Sequence, residues 1–440
     1  RKFYIFMKYQ KTLLKMKDEQ SLKEKISDVR PDDQKKLNQI WSCLEGKKVN
    51  GQKEIDLWEL RDLAISPGGL LQPEVRQIAW PKLLGISLSD KVTNNSICSS
   101  TEQSLKKGKR ELSQDERVTI QQDVKRSIWR LDEHLKQIKT SSQTTDVDSQ
   151  KDVTKTTWIL DDHLKWIKTT SQTTVVDSNF PSNESILEST IIEALLQCPT
   201  ELHYYQGYHD IASLMLLNLK STHLTSKVLS QISSYHLHDY MQKTMRSTIS
   251  LLQLVLYVLL RETDEELLDH LLHTGLDLSS FTLSWVISWF THDIKTFEIT
   301  SRIMDLCIAS HPAMPMYLSV TMLLQNRVLI LNTDCEVAAI YDAIQKLPKS
   351  MIDEDMSKGE NNVSNLIDDW ICAALSLMER ISPQEVLSIA EQYEDDEYIQ
   401  SSLVDASGTK IFNSVSSQHF SLAMTTPIEI NNPFVSLQIN

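Results

Sequence analysis

The sequence predicts an all-α protein, and three observations carry that prediction. Glycine is scarce, at 10 residues in 440, and regular turn signals are few. Apolar residues recur at steps of three and four rather than alternating, which is the period of a helix and not of a strand. The longest apolar stretches, Ile249 to Leu260 and Phe281 to Phe290, have the length of core helices and fall short of the ~18 to 20 residues that span a bilayer. Apolar residues make up 41% of the chain, enough for a sizeable core, and charged residues make up an ordinary 24%.

Taken in order, Lys11 to Leu44 reads as one or two polar helices. Ile55 to Ile65 follows at helical spacing, and Ser66-Pro67-Gly68-Gly69 breaks it. Pro73 suits a first helical turn, so a short helix is predicted over Glu74 to Trp80, ending near Pro81 and Gly85. Ser87 to Gly108 reads as a polar loop. The next helix sets Ile120, Val124, Ile128, Leu131, Leu135 and Ile138 on one apolar stripe. Asp123 falls at the edge of that stripe and Arg126 nearly opposite it, so Arg126 is expected to project away from the core.

An internal repeat with a period of 29 follows, in which Leu131 to Ser149 matches Leu160 to Ser178 at 15 of 19 positions. Two copies are too few for a solenoid, and a local duplication inserted into a helical domain is the expectation. Helical patterns then run from Glu184 to about Leu387, punctuated by Pro199, Gly275, Pro312 and Pro315. Thr263 with Glu266 reads as a capping box opening a helix through His270. From Glu391 the chain turns polar, and Thr425 to Asn440 has no helical period. The layout expected is a helical extension over residues 1–62, a main helical domain over 63–390 with its duplicated segment at about 123–178, and a disordered or loosely attached polar tail over 391–440.

Several function classes find no support. A formal net charge of −14 disfavours non-specific nucleic-acid binding. The six cysteines are scattered and form no C-x-x-C, as in a reduced cytosolic protein. There is no G-x-x-x-x-G-K-[ST] for nucleotide and no H-E-x-x-H for zinc. His203, His209 and Asp210 fit no common metal spacing, so no metal is expected. No serine or cysteine sits in a recognisable nucleophile setting. The lysine-rich start, Arg1 to Lys25, offers at most weak attraction to anionic lipid, hence at most peripheral membrane contact.

Three segments stand out. They are Arg76-Gln77-Ile78-Ala79-Trp80, Ile120-Gln121-Gln122-Asp123-Val124-Lys125-Arg126, and Tyr204-Tyr205-Gln206-Gly207-Tyr208-His209-Asp210-Ile211. Asp123 and Arg126, at i,i+3, can pair on a helix surface and hold the guanidinium outward. Exposed pairs of this kind are common and usually decorative. Gln206 precedes Gly207, where a turn can present its amide at a helix start, or can serve only as a loop hydrogen bond.

Together the segments resemble the TBC family of Rab GTPase-activating proteins, whose signatures R-x-x-x-W, I-x-x-D-x-x-R and Y-x-Q-G all occur here in the family's order. Ser284 to Phe290 and His311-Pro312-Ala313-Met314-Pro315 are similar to later helices of the family, so the resemblance covers roughly Leu63 to Leu347. It implies a multi-helix domain that engages a GTP-bound Rab and accelerates its hydrolysis of GTP, in endoplasmic reticulum to Golgi traffic, from the cytoplasmic side of those membranes. Arg126 and Gln206 are then the catalytic residues, supplied in trans. Asp123 holds Arg126, Tyr204 and Gly207 frame Gln206, and Arg76 with Trp80 braces the fold. GTP and magnesium are carried by the partner, so no cofactor of this chain is implied.

The duplication lies between Arg126 and Gln206 and lengthens their separation by about one repeat. A TBC fold that binds a Rab without catalysis therefore stands as an alternative, and a helical scaffold as another. Copy one carries Asp123 and Arg126, whereas copy two has Asp152 and Lys155 in the matching places and Thr157 in place of Ile128. Distance from Gln206 points to copy two, but the chemistry of the arginine and the unbroken apolar stripe point to copy one, so copy one is expected to pack as the finger helix and copy two to be an exposed extra segment.

Overall fold

The computed structural model describes residues 31–49, 52–86, 110–141, 182–356, 360–393 and 396–402. The chain divides into two compact units, Arg1–Leu63 and Ala64–Asn440. Helix α1 (Pro31–Glu45) buries Leu37, Ile40 and Cys43. An antiparallel hairpin follows, β1 (Lys47–Val49) with β2 (Gln52–Glu54), pairing Lys47 with Glu54 and Val49 with Gln52. This hairpin interrupts the all-helical reading of residues 1–62. Its sequence signal is Asn50-Gly51, a pair that suits the φ > 0 positions of a two-residue hairpin turn. Helix α2 (Leu57–Ile65) starts on Asp56, whose carboxylate accepts from the Trp58 and Glu59 N–H groups, both at 3.1 Å.

Every regular element among the described residues of the second unit is a helix. Helices α3 (Pro73–Leu83), α4 (Gln114–Ser141), α5 (Asn183–Gln197), α6 (Tyr208–Leu219) and α7 (Thr222–Ser234) form its first half. A one-turn 3₁₀ helix (His238–Met241) leads to α8 (Arg246–Thr263), α9 (Glu265–Leu272), α10 (Leu278–Ile287), α11 (Phe297–Ala309) and α12 (Met314–Gln325). The short α13 (Arg327–Leu331) precedes α14 (Val337–Met356), α15 (Glu360–Arg380), α16 (Pro383–Gln392) and α17 (Glu397–Ser402).

Helices α6, α8, α11 and α12 are buried over most of their surface, as their largely apolar sequences require. Helix α6 packs against α3, α4, α5, α7 and α11. Helix α8 buries every residue from Ser250 to Leu260 and packs against α9, α10, α12, α16 and α17. The expected core helix at Ile249 to Leu260 is α8. Among the described residues no helix is long and apolar enough to cross a membrane.

A buried carboxylate ties the first half of this unit to the second. Asp305 on α11 accepts from Arg76 Nε (3.0 Å) and Nη2 (2.9 Å), from Trp80 Nε1 (2.8 Å) and from the Leu70 N–H (3.0 Å). Its side chain has no solvent exposure and that of Arg76 is 4% exposed, so the charges must answer each other. Gly69 is needed beside them, because a Cβ there would lie 2.7 Å from both Asp305 Oδ2 and Arg302 Cδ.

The element boundaries hold three corrections. Helix α3 runs past the expected Trp80 to Leu83 with Pro81 inside it, and ends near Gly85, which takes φ +69°. The proline forfeits one helical hydrogen bond and is buried, so packing outweighs that loss. The cap of α9 is Asp264 and not Thr263: Asp264 Oδ1 accepts from the Leu267 N–H at 3.0 Å, while the Thr263 hydroxyl turns back to Leu259 O at 2.6 Å. An ionised acceptor is the stronger cap at the positive end of a helix. Ordered helix also extends past residue 390, where the Tyr398 ring of α17 stacks on Tyr257 at 4.9 Å and its hydroxyl accepts from the Leu278 N–H at 3.1 Å. Residues 1–30, the expected loop at 87–109, the second repeat copy and residues 403–440 lie outside the described residues.

Candidate functional site

The i, i+4 stripe of α4 seats it against α5, α6 and α11, with Ile120, Val124 and Leu131 buried and Ile128 half-buried. One step round the helix, Asp123 is still inside at 2% exposure. Arg126 lies outside, its side chain 66% exposed and its Nη2 bonded to Asp123 Oδ1. A buried carboxylate thus grips one end of an exposed guanidinium, and the remaining donors of the guanidinium face solvent.

The segment before α6 is fixed at four points. The His203 N–H donates to Met241 O at 2.6 Å, and the Tyr204 N–H donates to Glu116 Oε1 at 2.9 Å. The Tyr204 hydroxyl donates to Asp123 Oδ2 at 3.1 Å, and the Tyr205 hydroxyl donates to Ile287 O at 2.7 Å. Tyr205 meets Tyr208 edge-on at 5.9 Å and Tyr240 at 6.5 Å, which packs an aromatic wall behind the segment. A turn follows, closed by the Tyr208 N–H on Tyr205 O at 3.2 Å. Gly207 is its third residue, with φ +113°, where any Cβ is strained although the nearest atom would be 3.6 Å away. Conformation, not space, demands this glycine. Gln206, the second residue of the turn, is exposed and its side chain makes no hydrogen bond among the described residues.

Tyr204 is therefore the joint between the two motifs. Burial first, then the adjacent Asp123 carboxylate, push its phenol well above the ordinary range, so the hydroxyl keeps its proton to donate. Asp123 accepts from Arg126 with one oxygen and from Tyr204 with the other. His209 Nδ1 lies 3.0 Å from the same hydroxyl, and beyond it Asp210 Oδ2 lies 3.0 Å from His292 Nδ1. Arg126 and Gln206 project from the two elements so joined.

Of the residues singled out in sequence, Asp123, Arg126, Tyr204 and Gly207 belong to one bonded constellation, with Gln206 at its turn. Arg76 and Trp80 do not touch it; they hold Asp305, and so brace α3 to α11, which in turn packs on α4 and α6. Glu116, which positions the Tyr204 backbone, and Arg110, which reaches Glu116 at 3.5 Å and Pro199 O at 3.0 Å, were not singled out in sequence. Glu116 carries a weak signal, since it stands two turns before Asp123 on the same face of α4. Asp305 carries none, because its partners are more than 200 residues away.

A profile of the Rab-GTPase-TBC domain matches residues 129–331. Bovine TBC1 domain family member 20 is 26% identical over 317 residues, 72% of this chain and 64% of the relative. The human protein of that name is 27% identical over 296 residues, 67% of this chain and 60% of the relative. Residues 129–331, 203 of the chain's 440, thus carry the match to the Rab-GTPase-TBC domain. A fission-yeast protein named GTPase-activating protein gyp10 is 34% identical over 181 residues, 40% of this chain and 44% of its own length. The chain thus spans between 44% and 64% of the length of these relatives. A structural superposition on the Chlamydomonas flagellar RabGAP TBC domain has a TM-score of 0.38 at 12% identity, covering 79% of this chain and 96% of that one. The matched part of the TBC domain includes Gln206 but begins three residues after Arg126, and it takes in the second repeat copy.

Proposed function

We propose that this TBC domain accelerates GTP hydrolysis on a GTP-bound Rab by supplying Arg126 and Gln206 in trans. One observation carries the reading. The Tyr204–Asp123 hydrogen bond joins the elements that bear the two side chains, and both side chains point away from the core. Neither side chain contributes to the fold in a way that explains its presence. Both have the chemistry that phosphoryl transfer uses.

A guanidinium donates two parallel hydrogen bonds and cannot lose its proton, so Arg126 neutralises charge on the phosphate oxygens as the bond to the leaving group breaks. The Gln206 amide both donates and accepts, which suits it to orient the attacking water. An arginine so supplied accelerates hydrolysis by about 10³ to 10⁵, or roughly 4 to 7 kcal/mol. Nucleotide and magnesium belong to the partner. The fission-yeast relative is itself named a GTPase-activating protein. The family resemblance of the segments around Leu202 to Ile211 supports a partner in endoplasmic reticulum to Golgi traffic.

A screen of GTP hydrolysis over a panel of Rabs tests this. Acceleration of at least one Rab is expected; intrinsic rates throughout, with the chain folded, would end the reading. A second reading is favoured by one observation, that the profile match starts at residue 129 and spans copy two. If copy two occupied the finger position, Lys155 would stand where an arginine is needed, and the domain would bind a Rab with little catalysis.

A further inference from the structure

Arg126 has an aromatic neighbour that the mechanism above does not use. Trp129 follows it by three residues on α4, a spacing that sets two side chains next to each other on a helix surface. Trp129 is 44% exposed, on the same open strip as Arg126 and the exposed Lys125. The face that seats α4 runs instead through Ile120, Val124 and Leu131, so burial of the helix does not account for a tryptophan at this position.

The ring is held from outside its own helix. Lys295 Nζ lies over it, 5.0 Å from the centroid, a cation–π contact. Lys295 belongs to the turn between α10 and α11, and the same turn reaches α6, where Asp210 Oδ2 lies 3.0 Å from His292 Nδ1. The backbone of this turn is tightly set. Trp289 and Phe290 take φ +51° and +62°, a region that is costly for residues other than glycine, and both rings are buried and anchor it. One turn thus borders both elements that carry the supplied side chains: α4 through Trp129, and α6 through Asp210, four residues after Gln206.

We propose that Trp129, held by Lys295, is a docking residue for the GTP-bound Rab: its ring packs on an apolar patch beside the partner's nucleotide and supplies binding, while Arg126 supplies rate. The proposal rests on the reading of Arg126 as a group supplied to a Rab. Two features commit the surface to that partner. Trp129 is continuous with Arg126, so a protein whose nucleotide meets the guanidinium also covers the ring beside it. Lys125, Arg126 and Lys295 also place three cations along this strip in a chain of net charge −14, which complements a partner that carries a triphosphate. A large ring fixed before contact loses little freedom on binding, which is what makes an aromatic side chain an effective anchor.

The test uses the full chain and the Rab with the largest acceleration in the panel, with kcat and KM for the GTP-loaded Rab measured separately. Trp129→Ala is expected to raise KM about tenfold and to keep kcat within about twofold, the pattern of binding lost equally from ground and transition states. Trp129→Phe keeps a ring beneath Lys295 and is expected to recover most of the KM. Trp158 holds the matching place in the second repeat copy, and Trp158→Ala should leave both constants unchanged. All three variants are expected to melt with the wild type.

An unchanged KM in Trp129→Ala, while Arg126→Ala loses kcat, overturns the proposal and leaves the proposed function standing. A loss of kcat at unchanged KM, or a lowered melting temperature with Trp129→Phe no better than Trp129→Ala, makes the ring a support for α4 and overturns it as well. A raised KM in Trp158→Ala but not in Trp129→Ala assigns the surface to the second copy, against the proposal. If no Rab is accelerated, the proposed function fails, and direct binding of GTP-loaded Rabs to wild type and Trp129→Ala decides the docking role. Weaker binding by the variant supports it; equal binding, or none to either protein, refutes it.

Discussion

Replacing Gln206 with alanine separates a catalytic amide from a structural one. Gln206 is exposed and its side chain bonds to nothing in the described fold, while the turn beneath it is held by Tyr204, Tyr205 and the backbone of its neighbours. Truncation should therefore change stability by no more than about 0.5 kcal/mol, a melting shift of roughly 1 to 2 °C at this size. The transition state is another matter. A positioned hydrogen-bonding group lost from it typically costs ~10² to 10³ in rate, or about 2.7 to 4 kcal/mol. Single-turnover phosphate release from a GTP-loaded Rab measures the second quantity, and thermal unfolding of the same preparation measures the first. A loss of rate near a hundredfold with an unmoved melting curve is the expected pair. Turnover within twofold of wild type, or a melting temperature many degrees lower, would refute the assignment of Gln206 to the reaction.

Two further outcomes follow from the geometry. Asp305→Ala removes the acceptor shared by Arg76, Trp80 and Leu70 and leaves a buried guanidinium unpaired, so unfolding in urea should show a loss of about 3 to 5 kcal/mol; a loss under 1 kcal/mol would mean that the pair is not buried in solution. Gly207→Ala puts a Cβ on a residue at φ +113° with room around it, so the cost is conformational, about 1 to 3 kcal/mol. Stimulated hydrolysis should fall along with stability, and full activity in this variant would show that the turn is not the device that aims Gln206.

Much of this arrangement is legible in sequence because it is local. The three-and-four spacing of Ile120, Val124 and Leu131 sets which face of α4 is buried, and that face determines that Asp123 is inside and Arg126 outside. Gly207 after Gln206 signals the turn for the same reason. What sequence does not show is what depends on distant pairing. Arg76 and Trp80 read as supports for the finger, but their partner, Asp305, comes from α11, and no periodicity links positions so far apart. The bond from Tyr204 to Asp123 spans 81 residues. Thr263 and Glu266 satisfy the S/T-x-x-E pattern one residue away from Asp264, so the pattern points to the wrong cap. A pattern cannot weigh a hydroxyl against a carboxylate.

The central claim, that Arg126 is the arginine supplied to the partner, is tested most directly by Arg126→Lys and Lys155→Ala in one hydrolysis assay. Lysine keeps the charge but loses the planar fork that binds two phosphate oxygens at once. If α4 is the finger helix, Arg126→Lys loses at least ~10² of the acceleration and Lys155→Ala keeps it. An unchanged rate in Arg126→Lys together with loss in Lys155→Ala would contradict the account and assign the site to the second copy.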